Sequence, residues 1–220
     1  MKNSIKALLF DFDMTLVDSS RGITHCLNLL AAAEGLPSVT REEVLLTIGD
    51  PIPLGWEKLW GRFDPRWVDR YRENYRAEEI ALIRPFPSTV PVLKALKGAG
   101  LRLGVVSNRG NARIAVEGAG LTWAFDFVLG LDEVDRPKPD ADPLVKAMGR
   151  LGLGPAEVLY VGDTDIDMAT ALAASVRAVG MTTGNFDEEG LLSAGAWKVL
   201  DDLTGLCPLV GVADSSRVRD

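Results

Sequence analysis

Short apolar runs alternate along the chain with longer stretches in which apolar residues recur at helical spacing. Ile5–Phe10 is such a run, and Leu103–Val106 and Val158–Val161 have the same character. Phe125–Leu129 and Val176–Val179 are weaker examples. Runs this short and apolar are typical of buried strands and are too short for helices. The pattern therefore predicts that these five segments form a sheet.

The stretches between the runs predict helices, which are Thr89–Gly98, Ala112–Gly118, Pro143–Leu151 and Asp165–Ala174. Strands that alternate with helices predict a parallel sheet covered by helices on both faces. The expected fold class is therefore α/β, with a Rossmann-like core. In such sheets ligands bind beyond the carboxyl ends of the strands.

Residues 19–86 interrupt the alternation, because they carry helical signals and no strand candidate. Thr40 and Glu43, for example, have the spacing of a capping box at the start of a helix. We predict that this segment is an inserted α-helical cap domain and that residues 1–18 and 87–220 form the core. The alternative is a set of helices packed flat on the sheet.

Composition and charge narrow the function classes. The 220 residues include 31 acidic and 24 Lys or Arg side chains, a net charge of -7, which argues against nonspecific binding of nucleic acid. No apolar run approaches the length of a membrane span. Two cysteines cannot form a disulfide framework. We therefore expect a cytoplasmic protein with buried thiols and no nucleic-acid or membrane partner.

Two clusters of carboxylates follow predicted strands. Asp11 and Asp13 end the first strand, where alternate residues share a face and can point into one crevice. Asp163, Asp165 and Asp167 follow the strand at Val158–Val161. Taken alone, each cluster could be a solvated acidic turn or could complement a helix N-terminus.

Two further segments carry polar groups at strand ends or helix starts. Ser107, Asn108 and Arg109 follow the strand at Leu103–Val106 and offer a hydroxyl, an amide and N–H groups that suit an oxyanion or a phosphate. Lys138 stands between two prolines, so its backbone is held in place. Each feature alone is compatible with an ordinary turn, but the four clusters together predict an active site.

These clusters resemble the motifs of the haloacid dehalogenase superfamily. Asp11–Asp18 resembles the first motif, DxDGTxxD, and Gly162–Asp167 resembles the fourth, GDTxxD. Ser107 resembles the second motif and Lys138 the third. The resemblance spans residues 5–180, and the helical insert is similar to the first-type cap of that family. The outline is similar to the phosphoglycolate phosphatase-like branch.

The resemblance implies a phosphatase mechanism. Asp11 would attack phosphorus and form an aspartyl-phosphate, and Asp13 would protonate the leaving oxygen and then activate water. Asp11 is therefore expected as an anion, whereas Asp13 must carry a proton for part of the cycle. Ser107 would bind the transferring phosphoryl group, and Lys138 would neutralise it. Further candidates for substrate contact are Thr15, Asn108 and Arg109.

Charge counting predicts a divalent cation. The four carboxylates of Asp11, Asp13, Asp163 and Asp167 face a phosphate dianion with only Lys138 in return, so the site needs further positive charge. All-oxygen ligands and a phosphate substrate favour Mg²⁺. The resemblance implies that the metal ligands are the Asp11 carboxylate, the Asp13 main-chain oxygen and Asp163. Asp167 would act from behind these ligands or through water.

One residue departs from the family motif, and two alternative functions stay open. Met14 stands where the family usually has Gly, a residue that permits unusual backbone angles. A sugar phosphomutase shares all four motifs, although such enzymes commonly carry Val where this chain has Thr15. A non-catalytic binding module is the third possibility, disfavoured because every carboxylate is present. We expect a small phosphorylated metabolite as substrate, a monomer or homodimer, and a specificity loop at Thr47–Pro53.

Overall fold

A computed structural model describes residues 5–213 and contains a six-stranded sheet. In chain order the strands are β1 (Ala7–Phe10), β2 (Val17–Asp18), β3 (Arg84–Pro85), β4 (Arg102–Val106), β5 (Phe127–Leu129), β6 (Val158–Gly162), β7 (Arg177–Met181) and β8 (Lys198–Leu200). The sheet has the order β5-β4-β1-β6-β7-β8, and all neighbouring strands in it are parallel. The chain continues from β1 to β4 on one side and later to β6 on the other. This reversal opens a crevice at the carboxyl end of β1.

The helices of the sequence prediction are present. In chain order the helices are α1 (Ser20–Glu34), α2 (Arg41–Leu45), α3 (Ile52–Trp60), α4 (Pro65–Asn74), α5 (Arg76–Leu82), α6 (Thr89–Gly98), α7 (Ala112–Gly118), α8 (Asp142–Leu151), α9 (Asp165–Ala173), α10 (Glu188–Ser193) and α11 (Leu206–Leu209). The predicted bounds of α6 and α7 agree with the structure, and those of α8 and α9 differ by one residue. Within residues 5–213, no helix is long and apolar enough to cross a membrane.

Alternate residues of the central strands face opposite sides of the sheet. Leu8 and Phe10 of β1 pack in a hydrophobic cluster with residues of α6, α7 and α11. Leu9 packs in a second cluster with residues of α8, α9 and α10. Helices therefore cover both faces of the sheet, which explains why β1 is buried along its whole length. This confirms the predicted α/β class.

Helices α1–α4 pack around a hydrophobic cluster of their own. Leu27 and Leu30 of α1 lie in it beside Trp56, Trp67 and Tyr71 of α3 and α4. The aromatic rings meet edge to face, with 5.7 Å between the centroids of Trp56 and Tyr71. This cluster is distinct from the two clusters that cover the faces of the sheet. We refer to residues 19–86 as the cap, and these boundaries stay a prediction.

The cap and the core are joined by two antiparallel strand segments. Val17 pairs with Pro85, and Asp18 pairs with Arg84. The Thr89 hydroxyl also donates to the Leu16 carbonyl, at 2.6 Å. Two-residue strands carry no periodic signal, so the sequence indicated only an extended connection here.

The C-terminal part of the core differs from the sequence prediction. The edge strand β8 and the helices α10 and α11 were not predicted, because each is short and none has a long apolar period. Fraying of the polar tail at 214–220 stays a prediction, since these residues lie outside the described part. Both cysteines, Cys26 and Cys207, are buried as expected.

Candidate active site

The predicted site residues meet at the carboxyl edge of the sheet. Asp11 follows β1, Ser107 follows β4 and Asp163 follows β6. Because β1 lies between β4 and β6, the three turns lie side by side. Lys138 reaches the same place from the loop before α8. Parallel topology therefore gathers residues that are far apart in sequence.

Lys138 is the buried cation of this site. Its Nζ donates to Asp11 Oδ1 and to Asp167 Oδ1, both at 2.7 Å, and to the Tyr160 hydroxyl at 3.1 Å. Burial alone would lower the pKa of Lys138, but the charges of Asp11 and Asp167 outweigh it and raise the pKa well above its usual value. Lys138 therefore stays protonated and neutralises Asp11. Sequence reasoning missed Tyr160, because an aromatic residue in an apolar strand looks like an ordinary core residue.

Asp167 lies behind the site with both carboxylate oxygens engaged. Oδ1 accepts from Lys138 and lies 2.9 Å from the Tyr160 hydroxyl. Oδ2 accepts from the backbone N–H groups of Asp163 and Thr164 and from the Thr164 hydroxyl. Burial tends to raise the pKa of Asp167, yet Lys138 and these hydrogen bonds lower it overall. Asp167 thus orients Lys138 and the Asp163 turn.

Asp163 is held by groups that do not line the cavity. The Thr15 hydroxyl donates to Asp163 Oδ1 at 2.7 Å, and Thr15 is fully buried. Thr15 was predicted to contact substrate, but among the described residues it is absent from the cavity lining and supports Asp163 instead. On the other side, a Cβ on Gly184 would lie 2.0 Å from Asp163 Oδ2. Gly184 is a site residue that no motif in the sequence indicated.

Three buried carboxylates could hold a cation. One oxygen from each of Asp11, Asp163 and Asp167 lies within 4.8 Å of the others. Burial and, after it, neighbouring carboxylates raise the pKa of Asp163 well above its usual value. Burial also raises the pKa of Asp11, to about 7. An all-oxygen set whose charges repel each other fits Mg²⁺, which would lower both pKa values on binding.

Asp13 makes a different set of contacts. Arg109 donates through Nε to Asp13 Oδ2 at 2.8 Å and through Nη2 to Oδ1 at 2.6 Å. The same guanidinium donates through Nη1 to Glu79 Oε1 of α5 at 2.6 Å. Glu79 is buried, and its Oε2 accepts from the Tyr71 hydroxyl at 2.7 Å. Arg109 therefore links the core carboxylate to the cap.

The pKa values of the two carboxylates of the first motif are shifted in opposite directions. Burial tends to raise the pKa of Asp13, but the Arg109 charge and hydrogen bonds lower it below its usual value. Asp11 has the raised pKa. The sequence does not show that Arg109 binds both oxygens of Asp13. The expectation that Asp13 carries a proton for part of the catalytic cycle stays a prediction.

The turn after β4 holds the backbone of Lys138 in place, a role that the sequence did not indicate. The Asn108 side chain donates to the Lys138 carbonyl at 3.0 Å and accepts from the Lys138 N–H at 2.9 Å. Asn108 therefore fixes the backbone of Lys138, together with the two prolines. Ser107 is nearly buried, lines the cavity and accepts from the Arg109 N–H at 3.2 Å.

Met14 adopts the backbone conformation that favours Gly. Its φ is 57°, in the left-handed region, and its side chain is 2% exposed. Its N–H donates to the Val17 carbonyl at 2.9 Å, and its carbonyl accepts from the Thr183 hydroxyl. Among the described residues Met14 does not line the cavity, so it does not narrow the space above Asp11.

A cavity of about 380 Å³ lies between the cap and the core. Asp11, Ser107 and Lys138 form its floor. The predicted specificity loop, Thr47–Pro53, lies along its wall with every residue in the lining. A Cβ on Gly49, where φ is +103°, would lie 3.1 Å from the Thr164 side chain, so this loop approaches the core closely.

The fold and the site define the class of protein. The family model of haloacid dehalogenase-like hydrolases matches residues 8–181, most of the chain. The chain therefore belongs to the haloacid dehalogenase-like hydrolase family. This confirms the family resemblance drawn from the motifs and the expectation of a hydrolase.

Relatives narrow the comparison further. A phosphoglycolate phosphatase from Rhodospirillum rubrum is 33% identical over 94% of this chain and 91% of its own length. The structure of a haloacid dehalogenase-like hydrolase from Bacteroides fragilis has a TM-score of 0.82 and 33% identity, and the match covers 92% of this chain and 99% of that one. A structure described as a β-phosphoglucomutase from Thermotoga maritima has a TM-score of 0.76 at 20% identity over 94% of this chain and 99% of that one, which shows the fold alone. The relatives place this hydrolase among the phosphatases of the family.

Proposed function

We propose that this protein is a Mg²⁺-dependent phosphatase that hydrolyses small phosphate monoesters through an aspartyl-phosphate, similar to the phosphoglycolate phosphatases. The observation that carries the proposal is the contact of Asp11 with the protonated Lys138 at the floor of the cavity. A buried carboxylate neutralised in this way can accept an anionic ester beside it. The similarity to the Rhodospirillum rubrum enzyme supports the reaction class.

In the first step Asp11 is the nucleophile. Lys138 binds Asp11 Oδ1, and we assign the attack on phosphorus to Oδ2. The bond from phosphorus to the leaving oxygen breaks as the aspartyl-phosphate forms. Ser107 donates to the phosphoryl oxygens, and Lys138 offsets their charge. Asp11, the Asp13 main-chain oxygen and Asp163 would hold Mg²⁺, which supplies positive charge for the transferring phosphoryl group when bound.

Asp13 transfers protons in both steps. In the first step it gives a proton to the leaving oxygen. In the second step it takes a proton from the water that attacks phosphorus, and the bond from phosphorus to Asp11 breaks, which releases inorganic phosphate and restores the Asp11 carboxylate. In the structure Arg109 occupies both Asp13 oxygens. Asp13 can act as an acid only after Arg109 releases one of them. We therefore assign to Arg109 a contact with the bound substrate, which would draw it away from Asp13.

The test is phosphate release from a panel of monoesters by the wild type and Asp11→Asn, each with Mg²⁺ and with EDTA. We expect release only from the wild type with Mg²⁺. Asp165→Asn is the matched control, because Asp165 lies in the fourth motif but is exposed and outside the cavity lining. Asp165→Asn should retain release.

Three outcomes would contradict the proposal. Release by Asp11→Asn at the wild-type rate would exclude Asp11 as nucleophile. Transfer between positions of a sugar phosphate, with a bisphosphate activator and without net phosphate release, would identify the phosphomutase alternative. Binding of esters with neither reaction would identify a non-catalytic module.

A further inference from the structure

Part of the cavity wall is apolar. It includes Ile48, Ile52, Trp56 and Val68 of the cap and Leu131 of the core. Ile52 is 40% exposed and Leu131 is 38% exposed, although both belong to the lining. Apolar side chains of two domains therefore meet solvent inside one cleft. Such surface is stabilised when an apolar group covers it.

Two arginines of the cap line the same cavity. Arg72 lies near the end of α4 and Arg76 begins α5. Within residues 5–213, no hydrogen bond or ion pair of either side chain is found, whereas Arg109 binds two carboxylates. Burial, followed by the neighbouring Arg72 charge, lowers the pKa of Arg76. The charges of Glu79 and Asp132 act on Arg76 in the opposite direction, but neither carboxylate forms an ion pair with it in the described residues. An anionic ligand group would therefore add direct ion pairs to the two arginines.

The size of the cavity exceeds that of the smallest phosphate esters. Its 380 Å³ falls within the range of about 300–1,000 Å³ that is typical of pockets for drug-sized ligands. At about 30 Å³ for each water, this space corresponds to on the order of a dozen water molecules. A phosphoryl group on a two-carbon acid would leave the apolar wall in contact with water.

We propose that the preferred substrate is a phosphate monoester whose leaving group combines an apolar body with a second anionic group. The apolar body packs against Ile48, Ile52 and Leu131, and the anionic group binds Arg72 and Arg76. The inference rests on the proposed phosphatase function and names the substrate class of that site. It differs from a preference for phosphoglycolate, which has an anionic group and no apolar body.

The experiment compares four esters in a two-by-two design. Ethyl phosphate has neither group, phosphoglycolate has the carboxylate, benzyl phosphate has the apolar body and 2-phospho-3-phenyllactate has both. We expect kcat/KM to be highest for the last, with a gain of about tenfold or more for the phenyl group at constant carboxylate. The readout is inorganic phosphate with Mg²⁺ present.

Two variants separate the contribution of the apolar wall from that of the arginine pair. Ile52→Ser should reduce the ratio of kcat/KM for phosphophenyllactate to that for phosphoglycolate by about tenfold. Arg76→Gln should reduce the ratio for phosphophenyllactate to that for benzyl phosphate. Leu172→Ser and Arg21→Gln are matched controls, because both residues are exposed and lie outside the cavity lining. Both controls should keep the wild-type ratios.

The outcomes distinguish this inference from the proposed function. Equal or better turnover of phosphoglycolate than of phosphophenyllactate would overturn the inference and leave the phosphatase function standing. Wild-type ratios in Ile52→Ser and Arg76→Gln would also overturn it. Release from none of the four esters by folded protein with Mg²⁺ would overturn both proposals.

Discussion

The floor and the wall of the cavity differ in how their charges are satisfied. On the floor, Lys138 binds two carboxylates and both oxygens of Asp167 accept hydrogen bonds. On the wall, Arg72 and Arg76 stand among apolar side chains with no counter-ion in the described residues. A floor whose hydrogen bonds are formed before a substrate binds is preorganised for one reaction. The proposed substrate would supply the partners that the wall lacks, so we infer that the reaction and the substrate preference depend on different parts of the cavity.

The largest effect should come from removing the cation of the floor. Lys138→Met leaves Asp11 and Asp167 buried without their counter-charge, since Lys138 is 4% exposed and binds both at 2.7 Å. We expect the free energy of unfolding to fall by about 3–5 kcal/mol. Urea unfolding followed by circular dichroism measures it. Lys94→Met, on the exposed side of α6, should unfold like the wild type, and equal midpoints for the two variants would contradict the assigned role of Lys138.

Residues of the floor could be predicted from the sequence because they follow strands. Asp11, Ser107 and Asp163 each come directly after an apolar run, and parallel strands bring those positions together. Tyr160 and Gly184 could not be predicted in this way. Tyr160 has the spacing of a core residue, and the need for Gly184 arises from a close approach between distant segments.

The ion pairs that link Asp13 through Arg109 to Glu79, which we call the bridge, could not be predicted from the sequence either. Arg109 and Glu79 belong to the core and the cap, and their contact depends on how the two pack. The packing is close, because a Cβ added to Gly118 of α7 would lie 2.3 Å from the Ile80 side chain of α5. No local pattern reports such a distance. The sequence therefore did not indicate that Arg109 binds both Asp13 and Glu79.

A smaller effect should follow from weakening this bridge. Glu79→Gln removes the charge that binds Arg109 Nη1 at 2.6 Å, and Arg109 keeps only Asp13 as an ion-pair partner. We expect a loss of about 1.5–3 kcal/mol in unfolding free energy, the range for hydrogen bonds to charged groups. Urea unfolding measures this loss.

The control for the bridge is an exposed ion pair. Lys6→Gln breaks the contact with Glu157, where the lysine side chain is 58% exposed, and should cost at most about 1 kcal/mol. A urea midpoint of Glu79→Gln equal to that of Lys6→Gln would show that the buried bridge adds nothing to the stability of the protein.

A methyl group placed beside Asp163 should lower the free energy of unfolding by about 1–3 kcal/mol, the usual cost of overpacking. Gly184→Ala places a Cβ 2.0 Å from Asp163 Oδ2, so the carboxylate or the loop must move. We also expect weaker Mg²⁺ binding, measured as a higher Mg²⁺ concentration for half-maximal phosphate release. Gly98→Ala in α6 has no atom within 4 Å of its new Cβ and should leave that concentration unchanged. A Gly184→Ala protein with wild-type Mg²⁺ dependence would remove Gly184 from the site.

The smallest effects concern residues with a left-handed backbone conformation, and they test whether the Met14 side chain contributes to packing. Ser175 has a φ of 58° and is exposed, so Ser175→Gly should relieve backbone strain and gain about 0.5–1 kcal/mol. Met14→Gly relieves the same strain but removes a side chain that is 2% exposed, a loss of about 2 kcal/mol or more. We expect a net loss of about 1 kcal/mol, measured by thermal unfolding. Equal gains in both variants would mean that the Met14 side chain contributes no packing, and the Gly of the family motif would then be the more stable choice at this position.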